Sequence, residues 1–198
     1  MAKGNGLGQR AYFAGYALSN DVQSYASRCP VGVHDSTGLD KEAVERLYGQ
    51  RDGGIAFTTF FNDATDRIHA RLSTLPTTDQ LATVTFGPDL ADRAVSLVAK
   101  QLNYDPNRAA DGMLTFGADF ASNGYGLEYG RLLTPAPRTA TAGTDGSSVD
   151  LGSPSPGAFG AVFHLHVLSF SGTDVTIKVQ ESSDNGAGDA WADVVGGG

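Results

Sequence analysis

The stretch that most constrains this chain is 112–121, GMLTFGADFA. Leu114, Phe116, Ala118 and Phe120 fall on one face, and Met113, Thr115, Gly117 and Asp119 on the other. Period two over that length reads as a half-buried strand, because successive strand side chains point to opposite faces. The run before it, 95–104, places Val98, Leu102 and Tyr104 on one face. Between the two lies DPNRAADG, 105–112. Pro fixes its own φ and Asp-Gly accepts a positive one, so this segment reads as a turn. The expectation is an antiparallel hairpin with a third strand following by Gly130. No nucleophile, general base or metal-ligand set lies on it.

The rest of the composition points the same way. Among 198 residues, 26 are Gly and 18% are charged, a balance that favours short strands and tight turns over long helices. The length suits one large domain, or one domain with an appendage. The net charge of −8 is uneven. Residues 1–62 carry six basic and six acidic groups, 63–135 six and nine, and 136–198 two and seven. A phosphate-binding surface needs a basic face, and none is evident. Cys29 is alone, which excludes an internal disulfide, and it reads as a small buried apolar residue. The first ten residues, MAKGNGLGQR, lack an apolar signal core. They read as a flexible arm, since no strand precedes the glycines as a dinucleotide fingerprint requires. No run approaches the ~20 apolar residues of a membrane span.

Along the chain, 11–19 and 22–29 read as strands. In 34–53, Asp40 reads as the N-cap of a short helix over 41–48, with Ala43, Val44, Leu47 and Tyr48 on one face. So short a helix is marginal alone, so that face requires a partner. Residues 54–61 form an apolar strand. A second helix is expected from Asn62 or Asp63 to Leu75, with Ala64, Ile68, Leu72 and Leu75 on its inner face and Asp66 in its first turn. Residues 81–86 form a further strand. From 133 to 156 the chain turns rich in Thr, Ser, Pro and Gly, and reads as a linker with a short strand at 148–151. Two alternating runs follow, 159–170 and 175–180, joined by a turn at Ser171-Gly172-Thr173-Asp174. A last strand is expected over 191–195.

No catalytic signature emerges: there is no G-x-S-x-G, no P-loop and no Cys/His pairing. His164 and His166 lie on one side of a strand, but a third metal ligand is not evident nearby. Likewise 184–189, DNGAGD, lacks the alternating oxygens and final Glu of an EF-hand loop and reads as a polar hairpin loop. We expect no enzyme activity, no cofactor and no metal.

Three ordered blocks carry a resemblance: DSTGLDKEAVERLYGQRDGGIAFTTFFN, STLPTTDQLATVTFG and LVAKQLNYDPNRAADGMLTF. They resemble the major tail proteins of long-tailed bacteriophages, and the C-terminal FHLHVLSFSGTDVTIKVQESSDNGAGDAWADV resembles their trailing β segment. The resemblance implies a mainly β, tail-tube-type sandwich or barrel with one packed helix. It further implies hexameric rings that stack into a tube through which DNA passes. Related chains carry more strands after the block matching AWADVVGGG, so the C-terminal module is expected to be incomplete here.

The acidic balance suits such a conduit. A basic lumen would grip duplex DNA, with its charge every ~1.7 Å, whereas a neutral or acidic wall lets it slide. The resulting expectation is a tail-tube domain over 1–133, a linker over 134–157 and a small C-terminal β module over 158–198. Its expected partners are its own copies, other tail proteins and passing DNA without specific binding. It would reside in the virion tail after assembly in the bacterial cytoplasm, with no membrane partner. Leu39, Val44, Leu47 and Tyr48 are the candidate subunit contacts. The alternative is a capsid-decoration or tail-tip surface-binding module.

Overall fold

The computed structural model describes residues 6–135, 137–153 and 160–194. Gly4 of the N-terminal arm, Pro154 and Pro156 of the linker, Phe159 and Val195 lie outside the described residues. The fold is mainly β: among the described residues 37% are strand and 3% helix. Its strands are β1 (Arg10–Phe13), β2 (Tyr16–Ala17), β3 (Val22–Arg28), β4 (Val31–Asp35), β5 (Arg46–Arg51) and β6 (Gly54–Phe60). After α1 (Ile68–Leu72), the single helix among the described residues, come β7 (Gln80–Thr85), β8 (Arg93–Gln101), β9 (Asp105–Arg108), β10 (Leu114–Ser122) and β11 (Glu128–Arg131). Two-residue strands β12 (Gln180–Glu181) and β13 (Ala192–Asp193) close the order.

One antiparallel sheet dominates, in the order β2-β1-β7-β8-β10-β6-β3, with β11 added to β8 and β9 to β10. The expected alternation of β10 holds: Phe116, Ala118 and Phe120 are buried and Asp119 is exposed. Phe120 lies 4.7 Å from Phe13 and 5.4 Å from Phe57, ring to ring. β1 and β10 are separated in the sheet by β7 and β8, which in a flat sheet would put them about 14 Å apart. The sheet is therefore curled over on itself, and the curl encloses the core. Ile55, Val84, Val95, Leu97 and Leu127 complete the enclosure, all at 2% exposure or less.

Several expectations are corrected. The segment 105–112 is not all turn. Asp105–Arg108 pairs with Leu114–Gly117, and only the tight loop at 109–113 reverses the chain, with Gly112 at φ +93°. Pro106 is tolerated because β9 pairs on one side only among the described residues. On β8 the core face is Val95, Leu97 and Ala99, whereas Val98 is half-buried and Leu102 exposed.

The helix is also much shorter than its periodicity predicts. Asp66 adopts φ +61°, which no helix accepts, so the helix starts after Arg67. Asn62 instead closes a local turn onto the Ala64 N–H and donates to Asp21 at 2.8 Å. Ile68 and Leu72 are buried as expected, but Ala64 and Leu75 are exposed. The Gln101 amide ties the helix down by donating to the Leu72 carbonyl at 2.8 Å. Tyr104, stacked on Phe116 at 4.4 Å, and His69, edge-on to Phe61 at 4.9 Å, pack an aromatic group beside it. Burial pushes the Tyr104 phenol up to about 12.

Removing the Phe120 ring opens the centre of the curl. We expect Phe120→Ala to lose about 3–5 kcal/mol of unfolding free energy in urea titrations. Leu39→Ala, at a fully exposed position, is expected to change stability by less than about 0.5 kcal/mol.

Candidate assembly interface

The residues 41–48 do not form a helix. The chain from 31 to 51 is a β-hairpin, with β4 and β5 paired through Val33↔Tyr48, His34↔Leu47 and Asp35↔Arg46. A helix of eight residues with nothing to pack on is unstable, whereas β4 supplies β5 with a backbone ladder. The tip is held by side chains. Thr37 Oγ1 donates to Asp35 Oδ1 at 2.6 Å and accepts the Glu45 N–H at 2.9 Å. The Lys41–Glu45 pair that fitted a helix face survives at 3.5 Å without one.

This hairpin forms a sheet of its own, separate from the main one. Its base is anchored: Arg51 Nη2 meets Glu128 Oε1 at 2.9 Å, and the Gly53 N–H donates to Ser122 Oγ at 3.0 Å. Beyond the base almost every residue is exposed. The four candidate contacts all lie here, Leu39 at 110%, Val44 at 55%, Leu47 at 62% and Tyr48 at 86% exposure, joined by Val31 and Val33, which the sequence reading missed. A run of alternating valines, VGVHD, was the available signal for β4. Cys29, just before the hairpin, is exposed rather than buried.

The main sheet offers open edges. β3 pairs with β6 and β11 with β8, and among the described residues neither has a partner on its other side. β3 is also mostly exposed. An unpaired edge is a template for strand addition.

The C-terminal residues contribute a third surface. The hairpin expected from 159–170 and 175–180 is absent from the described residues, as is the strand at 148–151; only β12 and β13 pair. Residues 163–168 instead run extended across the main sheet. Tyr12, Thr83, Ser96 and Glu128 lie in register on neighbouring strands β1, β7, β8 and β11, and so share one sheet face. His166 Nε2 lies 2.9 Å from Thr83 Oγ1, and its ring is 5.6 Å from that of Tyr12. Thr83 in turn bonds Ser96 at 3.0 Å. The chain passes so close to the β1–β2 turn that a Cβ on Gly15 would stand 2.9 Å from the Val167 carbonyl.

The alternation expected in this run is present over 163–168. His164, His166 and Leu168 point inward, while Phe163, Leu165 and Val167 are 43%, 57% and 47% exposed. Burial holds both imidazoles below the usual histidine range, His166 down to about 4, and neighbouring His164 adds to that shift. Among the described residues no group of three His, Cys, Asp or Glu side chains could hold a metal. In the loop after β12, the Asp184 carboxylate is consumed locally. It accepts the N–H groups of Ala187, Gly188 and Asp189, and these bonds hold it below the usual carboxylate range.

Compared with solved structures, the chain is similar to one in the virion of a native gene transfer agent particle. The TM-score is 0.51 at 17% identity, over 65% of this chain and 99% of that one. The mainly β fold is shared with that virion chain. Two further similar chains come from the tail of an empty gene transfer agent particle and from the sheath-tube complex of an extracellular contractile injection system. The first has a TM-score of 0.49 at 18% identity, over 66% of this chain and 99% of that one. The second has 0.49 at 8%, over 63% and 89%. No family model and no curated protein matches the sequence.

Because Val44 and Leu47 contribute nothing to the core, the fold does not depend on them. The double variant Val44→Asp/Leu47→Asp is expected to unfold at the wild-type urea midpoint, within about 0.5 kcal/mol per site. A larger loss would place these side chains in the fold rather than on its surface.

Proposed function

We propose that this chain is a structural tail protein, non-enzymatic, that forms hexameric rings stacked into a tube for DNA passage. The observation that carries the reading is the hairpin 31–51, which projects from the sheet with both faces exposed and six large apolar side chains uncovered. Surface that apolar requires a partner in the working state. The tail-tube fold supports taking that partner to be further copies of the chain. Rings would close by strand addition at the open sheet edges, each contact burying well over ~1,000 Å². The hairpin would bridge successive rings through Leu39, Val44, Leu47 and Tyr48.

In this arrangement 1–133 is the tube domain, 134–157 the linker and 158–198 a module on the outer wall. The strap at 163–168 fits that placement, since it covers a hydroxyl-bearing sheet face and leaves the core untouched. Two basic against seven acidic residues in 136–198 suit a solvated exterior. Other partners would be neighbouring tail proteins and transient DNA, with the protein residing in the virion tail after assembly in the host cytoplasm.

Electron microscopy of the purified protein tests the reading: rings or tubes are expected. Val44→Asp/Leu47→Asp is expected to leave rings and abolish tubes, because stacking would bury unpaired charge. Monomers or trimers in every buffer would sink the proposal and favour the decoration-module alternative. Deleting 136–198 is expected to give tubes of unchanged inner and reduced outer diameter. If the truncated chain unfolds, the C-terminal residues belong to the wall.

A further inference from the structure

We propose that residues 163–168 are an acid-releasable strap, held on the outer sheet face by two neutral imidazoles and freed when His164 and His166 are protonated. The first support is geometric. Among the described residues no backbone–backbone hydrogen bond joins 160–178 to the rest of the chain, so side chains hold the strap down. Of its inward residues, two of three are histidines; His166 sits over Thr83 and Tyr12, and His164 lies near Glu128, rather than over the apolar core.

Hydrogen-bond capacity gives the second support. A neutral imidazole has one donor and one acceptor, whereas an imidazolium has two donors. His166 Nε2 can donate to Thr83 Oγ1, leaving Nδ1 as a bare lone pair. That Nδ1 is buried with no acceptor near it, as is Nε2 of His164. Protonation would therefore place buried N–H donors, and two adjacent positive charges, where nothing receives them.

The surrounding elements offer little compensation. β7 contributes only Thr83, itself bonded to Ser96 of β8. β1 contributes Tyr12, and β11 contributes Glu128, whose charge favours protonation of His164. Glu128 is already shared with Arg51 at 2.9 Å.

The sign follows from linkage. The strapped state prefers neutral His166, so strapping is at full strength above pH 6.5 and weakens as the pH falls toward about 4. At pH 5, His166 alone would weaken strapping about 30-fold.

Spin labels on the exposed native Cys29 and on Leu165→Cys, with labelled chains diluted in unlabelled protein, read the strap position. One narrow distance is expected at pH 7.5, and a broad distribution with longer distances at pH 5. In the His164→Gln/His166→Gln background the distribution should not respond to pH. Identical wild-type distributions at both pH values would overturn the proposal, as would a pH response that persists in the Gln background. Should the Gln variant not fold, a proton NMR titration of the wild-type imidazoles decides: His166 titrating near the free-histidine value overturns the strap's pH dependence.

Discussion

The contact between Phe13 and Phe120 is what the rest of the fold depends on. It joins two strands that the sheet order keeps two strands apart, and so fixes how tightly the sheet curls. With the curl set, Phe57 closes on Phe120 from the other side, and Ile68 and Leu72 plug the end. Burying three phenylalanine rings favours the curl on its own account, at roughly 25 cal/mol per Å² of apolar surface removed from water. It also consumes the inner face of nearly every long strand. What remains outside is polar sheet face, open edge and hairpin. A small curled sheet of this kind cannot cover its own edges, because the strands that could do so are already committed to the core.

How much of this the sequence made legible depends on whether a local pattern had a rival. At 114–120 it had none, and the strand and its apolar face could be read directly, though its pairing with β6 and β9 could not. At 41–48 helical spacing competed with a ladder offered by 31–35, and the ladder prevailed because no surface waits to receive a helix there. At 63–75 the periodic apolar residues were read correctly as far as Ile68 and Leu72, but the left-handed backbone at Asp66 cut the helix to five residues. Nothing in an Asp announces that conformation. On 95–104 apolar residues occupy both faces, so the pattern could not say which one looks inward. The four candidate contacts are exposed, and Val44, Leu47 and Tyr48, read as part of an unpaired helix face, lie on a strand and its loop instead.

The C-terminal run shows a different limit. Its period-two alternation was plain, but with apolar residues on both faces the pattern did not say which one turns inward. The surface it meets decides. Thr83 and Ser96 line the outer face with hydroxyls, and an imidazole that can exchange a hydrogen bond with Thr83 satisfies that face better than an apolar side chain would. The polarity of the surface beneath, invisible in the run's own sequence, selects the face that carries the histidines.

That orientation changes what the outside of the molecule is. A sheet face built from Thr, Ser and Glu would ordinarily be finished with water. Covered by the strap, it presents Phe163, Leu165 and Val167 instead, on the same chain that exposes Leu47 and Tyr48 on its hairpin. The two surfaces differ in how firmly they are held. The hairpin has its own ladder and an ion-paired base, so its apolar residues are presented rigidly. The strap has neither a ladder nor a salt bridge, and rests on side-chain contacts to one hydroxyl and one ring. A rigid apolar projection suits a permanent joint between copies, because little ordering entropy opposes binding. A surface displayed by a loosely held strap can be withdrawn, and the cost of withdrawing it is set by the charge state of two histidines.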